Sequence, residues 1–136
     1  MAVVTESQQE VLLAAALGAV QHAHIPYSKY AVGAALQAAD GTVYAGCNIE
    51  NASYPAGICA ERVALVKAVS EGQRRFERLV VVTSNGALPC GICRQMLSEF
   101  CPALLVYTFD MQQNRRFAGS LADLLPGAFG PDQLSV

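Results

Sequence analysis

The order of segments along this chain predicts an α/β sandwich built on a mixed sheet. Three observations carry that reading. Residues 33–38 and 42–47 look like two strands joined by the Asp40-Gly41 turn pair. Residues 79–83 and 104–109 are continuous apolar runs, the pattern of strands buried on both faces. Helix-like segments alternate with these runs, so a hairpin comes first and helix–strand units follow.

A first helix is expected over 7–24, where Leu12, Leu13, Ala16, Leu17 and Val20 recur at helical spacing and Pro26 lies just beyond the end. After the hairpin, segment 48–58 holds Asn48, Asn51, Pro55 and Gly57 and reads as a loop. A second helix over 59–71 is stopped by Gly72. Past the strand at 79–83, Asn85-Gly86 and Pro89 make another loop, and a third helix covers 90–100. The strand at 104–109 is followed by a short edge strand at 116–118. Ser120 caps a last short helix that ends near Leu125, before Pro126-Gly127. No repeat, low-complexity tract or linker interrupts the chain, so residues 1–136 are expected to form a single domain with a core of its own.

Composition narrows the function classes. Hydrophobic residues make up 53% of the chain and charged residues 15%, well below the usual charged share of about 25%. So few charges on a small domain leave apolar surface to be covered, and sister subunits are the expected cover. A formal charge of −2 offers no basic face for a phosphate backbone, which argues against a nucleic-acid partner. The longest apolar stretch, residues 11–20, is too short to span a membrane. Glu6 and Glu10 precede it where a secretory signal would carry positive charge, so a signal peptide is not expected. The odd count of five cysteines, two of them in a C-x-x-C, favours reduced metal-binding thiols in a cytoplasmic protein over disulfides.

The chemistry is concentrated in two short clusters, Cys59-Ala60-Glu61 and Pro89-Cys90-Gly91-Ile92-Cys93, each at a helix start. Cys90 and Cys93 are three apart, so one helical turn points both sulfurs the same way. Pro89 suits the start of that helix. Near helix N-termini the dipole favours the thiolates that a metal needs. Cys59, Cys90 and Cys93 therefore form a candidate three-ligand zinc site that keeps a fourth position for water. Three thiolates around a zinc dication leave a net negative charge, which weakens the acidification of that water. Arg62, three residues after Cys59 on the same face, is the group expected to draw charge back off the sulfurs; the plain alternative is an exposed helix arginine.

Glu61 is the sharpest residue. Alone, a carboxylate in a first helical turn is a favourable dipole partner and no more. Beside an open zinc site it becomes the candidate proton carrier. Two alternatives stay open at this level: a thioredoxin-like dithiol at Cys90 and Cys93, and a closed structural zinc with Cys47 or Cys101 as fourth ligand. His22 and His24 are expected at the end of the first helix as surface or packing residues. Asn48 and Glu50, two apart at a strand end, face one side and suit the hydroxyls of a sugar; an ordinary polar loop would look the same.

These clusters together resemble the all-cysteine form of the zinc deaminase signature. More of the chain resembles the short, homotetrameric cytidine deaminases: Pro26-Tyr27-Ser28-Lys29-Tyr30, Val32-Gly33-Ala34-Ala35-Leu36, the run from Gly46 through Asn48-Ile49-Glu50 to Tyr54, Cys59-Ala60-Glu61-Arg62, Pro89-Cys90-Gly91-Ile92-Cys93-Arg94-Gln95, and Leu124-Leu125-Pro126-Gly127-Ala128-Phe129 stand in family order. The resemblance implies a three-layer α/β/α sandwich with a five-stranded mixed sheet, one zinc per chain, and hydrolytic deamination of cytidine and 2′-deoxycytidine in pyrimidine salvage. It implies that Cys59, Cys90 and Cys93 hold zinc, that Glu61 shuttles protons, and that Asn48 and Glu50 bind the ribose 3′-hydroxyl. By the same likeness the Ala60 backbone helps hold the pyrimidine, Phe129 stacks from a neighbouring subunit, and Ala52 and Tyr54 reach the 5′-hydroxyl across that interface. Tyr30 stands where the family commonly has a stacking phenylalanine, and its hydroxyl needs a partner. A relative acting on another cytosine compound, such as an aminonucleoside antibiotic of the blasticidin type, is the nearest rival.

Overall fold

The fold is seen in a computed structural model that describes residues 6–134. Helix α1 spans Glu6–Val20, strand β1 Val32–Ala38 and β2 Val43–Cys47. Helix α2 spans Ala60–Ser70, β3 Phe76–Thr83, α3 Gly91–Phe100, β4 Leu105–Phe109, β5 Arg115–Ser120 and α4 Leu121–Leu124, with single 3-10 turns at Tyr54–Ala56 and Pro131–Leu134. The five strands form one mixed sheet in the order β2-β1-β3-β4-β5. Only β3 and β4 run parallel, joined by the crossover through α3; the other neighbours are antiparallel.

Strand alternation sorts the core into two clusters. Leu79 and Val81 of β3 face α2 and α3 together with Ala64, Leu65 and Leu97. Val80 and Val82 face the other way, onto Leu12, Leu13, Ala16 and Val20 of α1. Helices thus cover both faces, giving the three-layer α/β/α sandwich expected. A leucine as fully buried as Leu12 or Leu65 contributes roughly 1.5–3 kcal/mol relative to exposure. The Asp40-Gly41 turn forms as expected, with Gly41 at φ 91° and Thr42 N–H donating to Asp40 Oδ1 at 3.0 Å.

Several boundaries differ from the expected ones. Helix α1 stops at Val20 instead of residue 24, because the chain tightens through His22 N–H to Ala19 O and Ala23 N–H to Val20 O. His24 is therefore no helix residue: its N–H bonds Asn48 O and its carbonyl accepts from Glu50 N–H, a short parallel bridge to the loop after β2. Strand β3 begins at Phe76 rather than 79, since Phe76 and Arg78 still find partners on β1. Strand β5 is longer than the expected 116–118 because its register runs the length of β4, whatever its polar composition. Ser120 does cap α4: its Oγ accepts from Asp123 N–H at 3.2 Å and Asp123 returns a bond to the Ser120 N–H.

Candidate metal and proton-transfer site

Backbone contact sets the site. Helix α2 lies directly on β2 at Gly46, where an added Cβ would stand 2.8 Å from Ala64 N and 2.9 Å from Ala60 O. That approach brings the start of α2 to the end of β2, next to the start of α3. Cys59 is the N-cap of α2 and Cys90 the N-cap of α3, while Cys93 sits in the first turn of α3. Cys59 and Cys90 thus lie one residue earlier than first-turn positions, and Pro89 precedes the cap instead of opening the helix.

The sulfurs of Cys59 and Cys90 are 3.8 Å apart and those of Cys90 and Cys93 3.5 Å, all three within 4.8 Å of one another. Three thiolates at about 2.3 Å from one tetrahedral zinc would be separated by about 3.8 Å, so the cluster fits that ion. Among the described residues no other Cys, His, Asp or Glu joins it. Cys101 Sγ instead donates to Phe76 O at 3.0 Å at the far end of α3, and Cys47 closes β2 outside the cluster. Among the thiols themselves, the hydrogen bond from Cys93 pulls Cys59 down to about 5. That bond and burial push Cys93 up.

Glu61 lies one residue into α2 from Ala60, itself fully buried. Only 4% exposed, its Oε1 has no hydrogen-bond partner. Burial, and after it the charge on Cys59, raise its carboxyl to about 7. Glu61 lines a cavity of about 250 Å³ with Cys59, Cys90, Tyr30, Asn48 and Glu50. Arg62 Nη2 donates to Cys59 Sγ at 3.6 Å, so this arginine points to the sulfurs and not to bulk water.

Asn48 and Glu50 reach the same cavity, yet each is already bonded. Asn48 Oδ1 accepts from Val32 N–H at 2.9 Å and its Nδ2 donates to Tyr30 O at 2.8 Å. Glu50 Oε1 accepts from Tyr27 N–H and Ser28 N–H, both at 3.0 Å, and Oε2 takes the Ser28 hydroxyl. The Ser28 hydroxyl, followed by its N–H, holds the Glu50 carboxyl below the ordinary range. The Tyr30 hydroxyl finds its partner in Asn85 Oδ1 at 2.6 Å. Ala52, Tyr54 and Phe129 do not line the cavity. Tyr54 is 74% exposed and packs edge-on to Tyr27; Phe129 is exposed, its carbonyl held by Gln95 Nε2 at 2.8 Å. Sequence reasoning missed Ser28, Thr83 and Asn85. Ser28 sat inside a quoted segment without a role, and Asn85-Gly86 reads as a turn pair whether or not the amide does anything further.

A sulfur triad at two helix starts, with a buried proton-active carboxylate beside it, puts this α/β sandwich in the class of zinc enzymes that hydrolyse an amine from a base. Similarity to known proteins narrows the class. The family described as "Cytidine and deoxycytidylate deaminase zinc-binding region" matches residues 6–109. A cytidine deaminase of Sporosarcina psychrophila is 48% identical over 129 residues, covering 93% of this chain and 94% of that protein. One from Halalkalibacterium halodurans is 44% identical, over 93% and 98%. The crystal structure of cytidine deaminase from Burkholderia pseudomallei superposes with a TM-score of 0.84 at 45% identity, over 88% of this chain and 98% of that one. The chain belongs to the zinc-dependent cytidine deaminases.

Proposed function

We propose that this protein converts cytidine and 2′-deoxycytidine, with water, to uridine and 2′-deoxyuridine plus ammonia, in the salvage of pyrimidine nucleosides. One observation carries the reading. Glu61 Oε1 is a buried oxygen without a partner, and Glu61 lines the same cavity as Cys59 and Cys90 of the sulfur triad. A structural carboxylate would be bonded, because leaving such an oxygen unmade costs about 1–3 kcal/mol.

Cys59, Cys90 and Cys93 hold one zinc per chain, which when bound supplies a water acidified to near neutrality as nucleophile. Glu61 carries the protons. Burial raises its carboxyl above the ordinary range, which suits a group that must both take and give a proton. It takes the first from the water whose oxygen adds to C4 of the pyrimidine and gives it to N3. It then takes the second from the hydroxyl so formed on C4 and gives it to the 4-amino nitrogen, whose bond to C4 breaks to release ammonia. Arg62, bonded to Cys59 Sγ, offsets the excess negative charge of the thiolates. Asn48 and Glu50 face the ribose 3′-hydroxyl with the lone pairs and N–H left after their internal bonds. The Ala60 backbone holds the pyrimidine edge, and the Tyr30 ring packs on the base.

The same proposal makes the protein a homotetramer of single-domain chains (residues 1–136), acting on a small nucleoside in the cytoplasm. Ile92 on the first turn of α3, Tyr54 and Phe129 are large, apolar and 65%, 74% and 56% exposed, which supports their burial against sister subunits. Phe129 then stacks in the neighbour's cavity, and Ala52 and Tyr54 reach its 5′-hydroxyl. Among the described residues no helix is long and apolar enough to cross a membrane. The test is steady-state ammonia release from cytidine by the purified chain, with zinc counted per chain and mass measured by light scattering. A zinc-replete protein that leaves cytidine unchanged would overturn the proposal.

A further inference from the structure

The Tyr30 ring forms one wall of the cavity that holds Glu61, but little regular structure holds Tyr30. It lies in the connection between α1 and β1, directly after Lys29, whose φ of 61° is a conformation that a lysine adopts at a cost. Its backbone is tied at both ends: Tyr30 N–H donates to Ser28 Oγ at 3.0 Å and Tyr30 O accepts from Asn48 Nδ2. Those bonds fix the Cα and leave the ring free to swing about two side-chain torsions.

The far end of the ring is held separately. The Tyr30 hydroxyl donates to Asn85 Oδ1 at 2.6 Å, across 55 residues of sequence. That oxygen is itself placed by two other donors, Thr83 Oγ1 at 3.1 Å and Ala87 N–H at 3.3 Å. Ala87 N–H also bonds Thr83 Oγ1 at 3.1 Å. Thr83 ends β3, so the amide is referenced to the rigid centre of the sheet. Asn85 itself does not line the cavity.

We infer that Asn85 is a positioning residue for substrate: by holding the Tyr30 hydroxyl it sets the plane of the ring against which the pyrimidine lies. A bond at the tip of an aromatic side chain restrains both torsions at once, so the wall is preorganised before substrate enters. The inference rests on the nucleoside reading of the cavity. It deepens that reading with a determinant outside the first layer of contacts. A restraint on the ring that serves bound substrate and transition state equally is uniform binding, so its loss raises KM and leaves the chemical step alone.

The test uses the zinc-loaded protein and the variants Tyr30→Phe, Asn85→Leu, Asn85→Asp and the Tyr30→Phe/Asn85→Leu double. For each, KM and kcat for cytidine and the Kd of uridine by calorimetry are measured. Tyr30→Phe and Asn85→Leu should each raise Kd and KM by about two- to tenfold, the range of one net hydrogen bond, with kcat within about twofold. The double variant should be no worse than the weaker-binding single, as expected for two ends of one contact. Asn85→Asp keeps an acceptor for all three donors and should bind uridine like the parent. Multiplying effects in the double variant, a fall in kcat without a change in Kd, or Asn85→Asp behaving like Asn85→Leu would overturn the inference. A parent protein that shows this binding pattern yet releases no ammonia from cytidine would sink the proposed activity and leave the role of Asn85 standing.

Discussion

Arg62 Nη2 stands 3.6 Å from Cys59 Sγ, donating to a thiol one helical turn behind it on α2. Cys59 caps that helix, so its sulfur receives both the field of the helix start and a guanidinium. Both stabilise a thiolate, and both reduce the negative charge that three sulfurs would place around one dication. Arg62→Met keeps the length and packing of the side chain but removes the charge. Zinc affinity, measured by competition with a chromophoric chelator, should fall by about 10–100-fold. An unchanged affinity would return Arg62 to the status of a helix arginine.

Glu61 gives the sharpest kinetic expectation. Glu61→Ala removes a group proposed to act first as acid and then as proton relay, so kcat should fall by about three orders of magnitude or more with zinc still bound. Stability should move the other way or stay level. The carboxylate is buried with one oxygen unpaired, and its removal takes away a desolvation cost. A metal-replete Glu61→Ala protein that turns over cytidine would exclude Glu61 from the reaction, and a marked drop in Tm would point to a structural carboxylate.

How much of this was legible in the sequence depends on the range of the interaction. The C-x-E and C-x-x-C spacings and the apolar runs of β3 and β4 are local, and local periodicity is what a sequence displays. The triad and the two-faced sheet were readable for that reason. The end of α1 was not, because His24 leaves the helix to pair with a loop whose Asn48 and Glu50 lie more than twenty residues on. Asn48 and Glu50 were readable as a polar pair, but the bonds that spend part of their capacity on Val32, Tyr30, Tyr27 and Ser28 were not. Asn85 shows the limit most clearly: its partner is 55 residues away, and no spacing rule connects them.

Gly46 couples the sheet to the site. A methyl there would meet Ala64 N at 2.8 Å, Ala60 O at 2.9 Å and Val63 Cβ at 2.9 Å, mostly backbone of α2 that cannot turn aside. Gly46→Ala must lift α2 from β2, and Cys59 and Glu61 ride on the lifted end. Overpacking of this kind costs typically about 1–3 kcal/mol. Both Tm and kcat should fall, whereas Gly18→Ala, with open space at its Cβ, should not lower stability. Equal behaviour of the two variants in thermal unfolding would show that α2 does not depend on this contact.

Asp110 is 1% exposed and closes the turn between β4 and β5. Its Oδ1 accepts Asn114 N–H at 2.9 Å and Gln112 N–H at 3.0 Å, and its Oδ2 pairs with Arg116 Nε at 2.9 Å. The Asn114 N–H above all, with the Arg116 bond behind it, holds the carboxyl below its ordinary value. A carboxyl whose pKa is lower folded than unfolded binds fewer protons in the folded state. Its contribution is therefore complete above the unfolded pKa of about 4 and is lost as pH falls through the folded value. Asp110→Asn keeps the shape and one acceptor but not the charge, so its Tm should lie several degrees below the parent at pH 7. The gap should narrow once pH falls below about 4 and close below the folded value, where the parent's carboxyl is protonated in the folded state as well. Protonation of the thiols affects both proteins alike and cancels in the difference. A gap that persists unchanged into acid would mean that shape, and not charge, makes Asp110 matter.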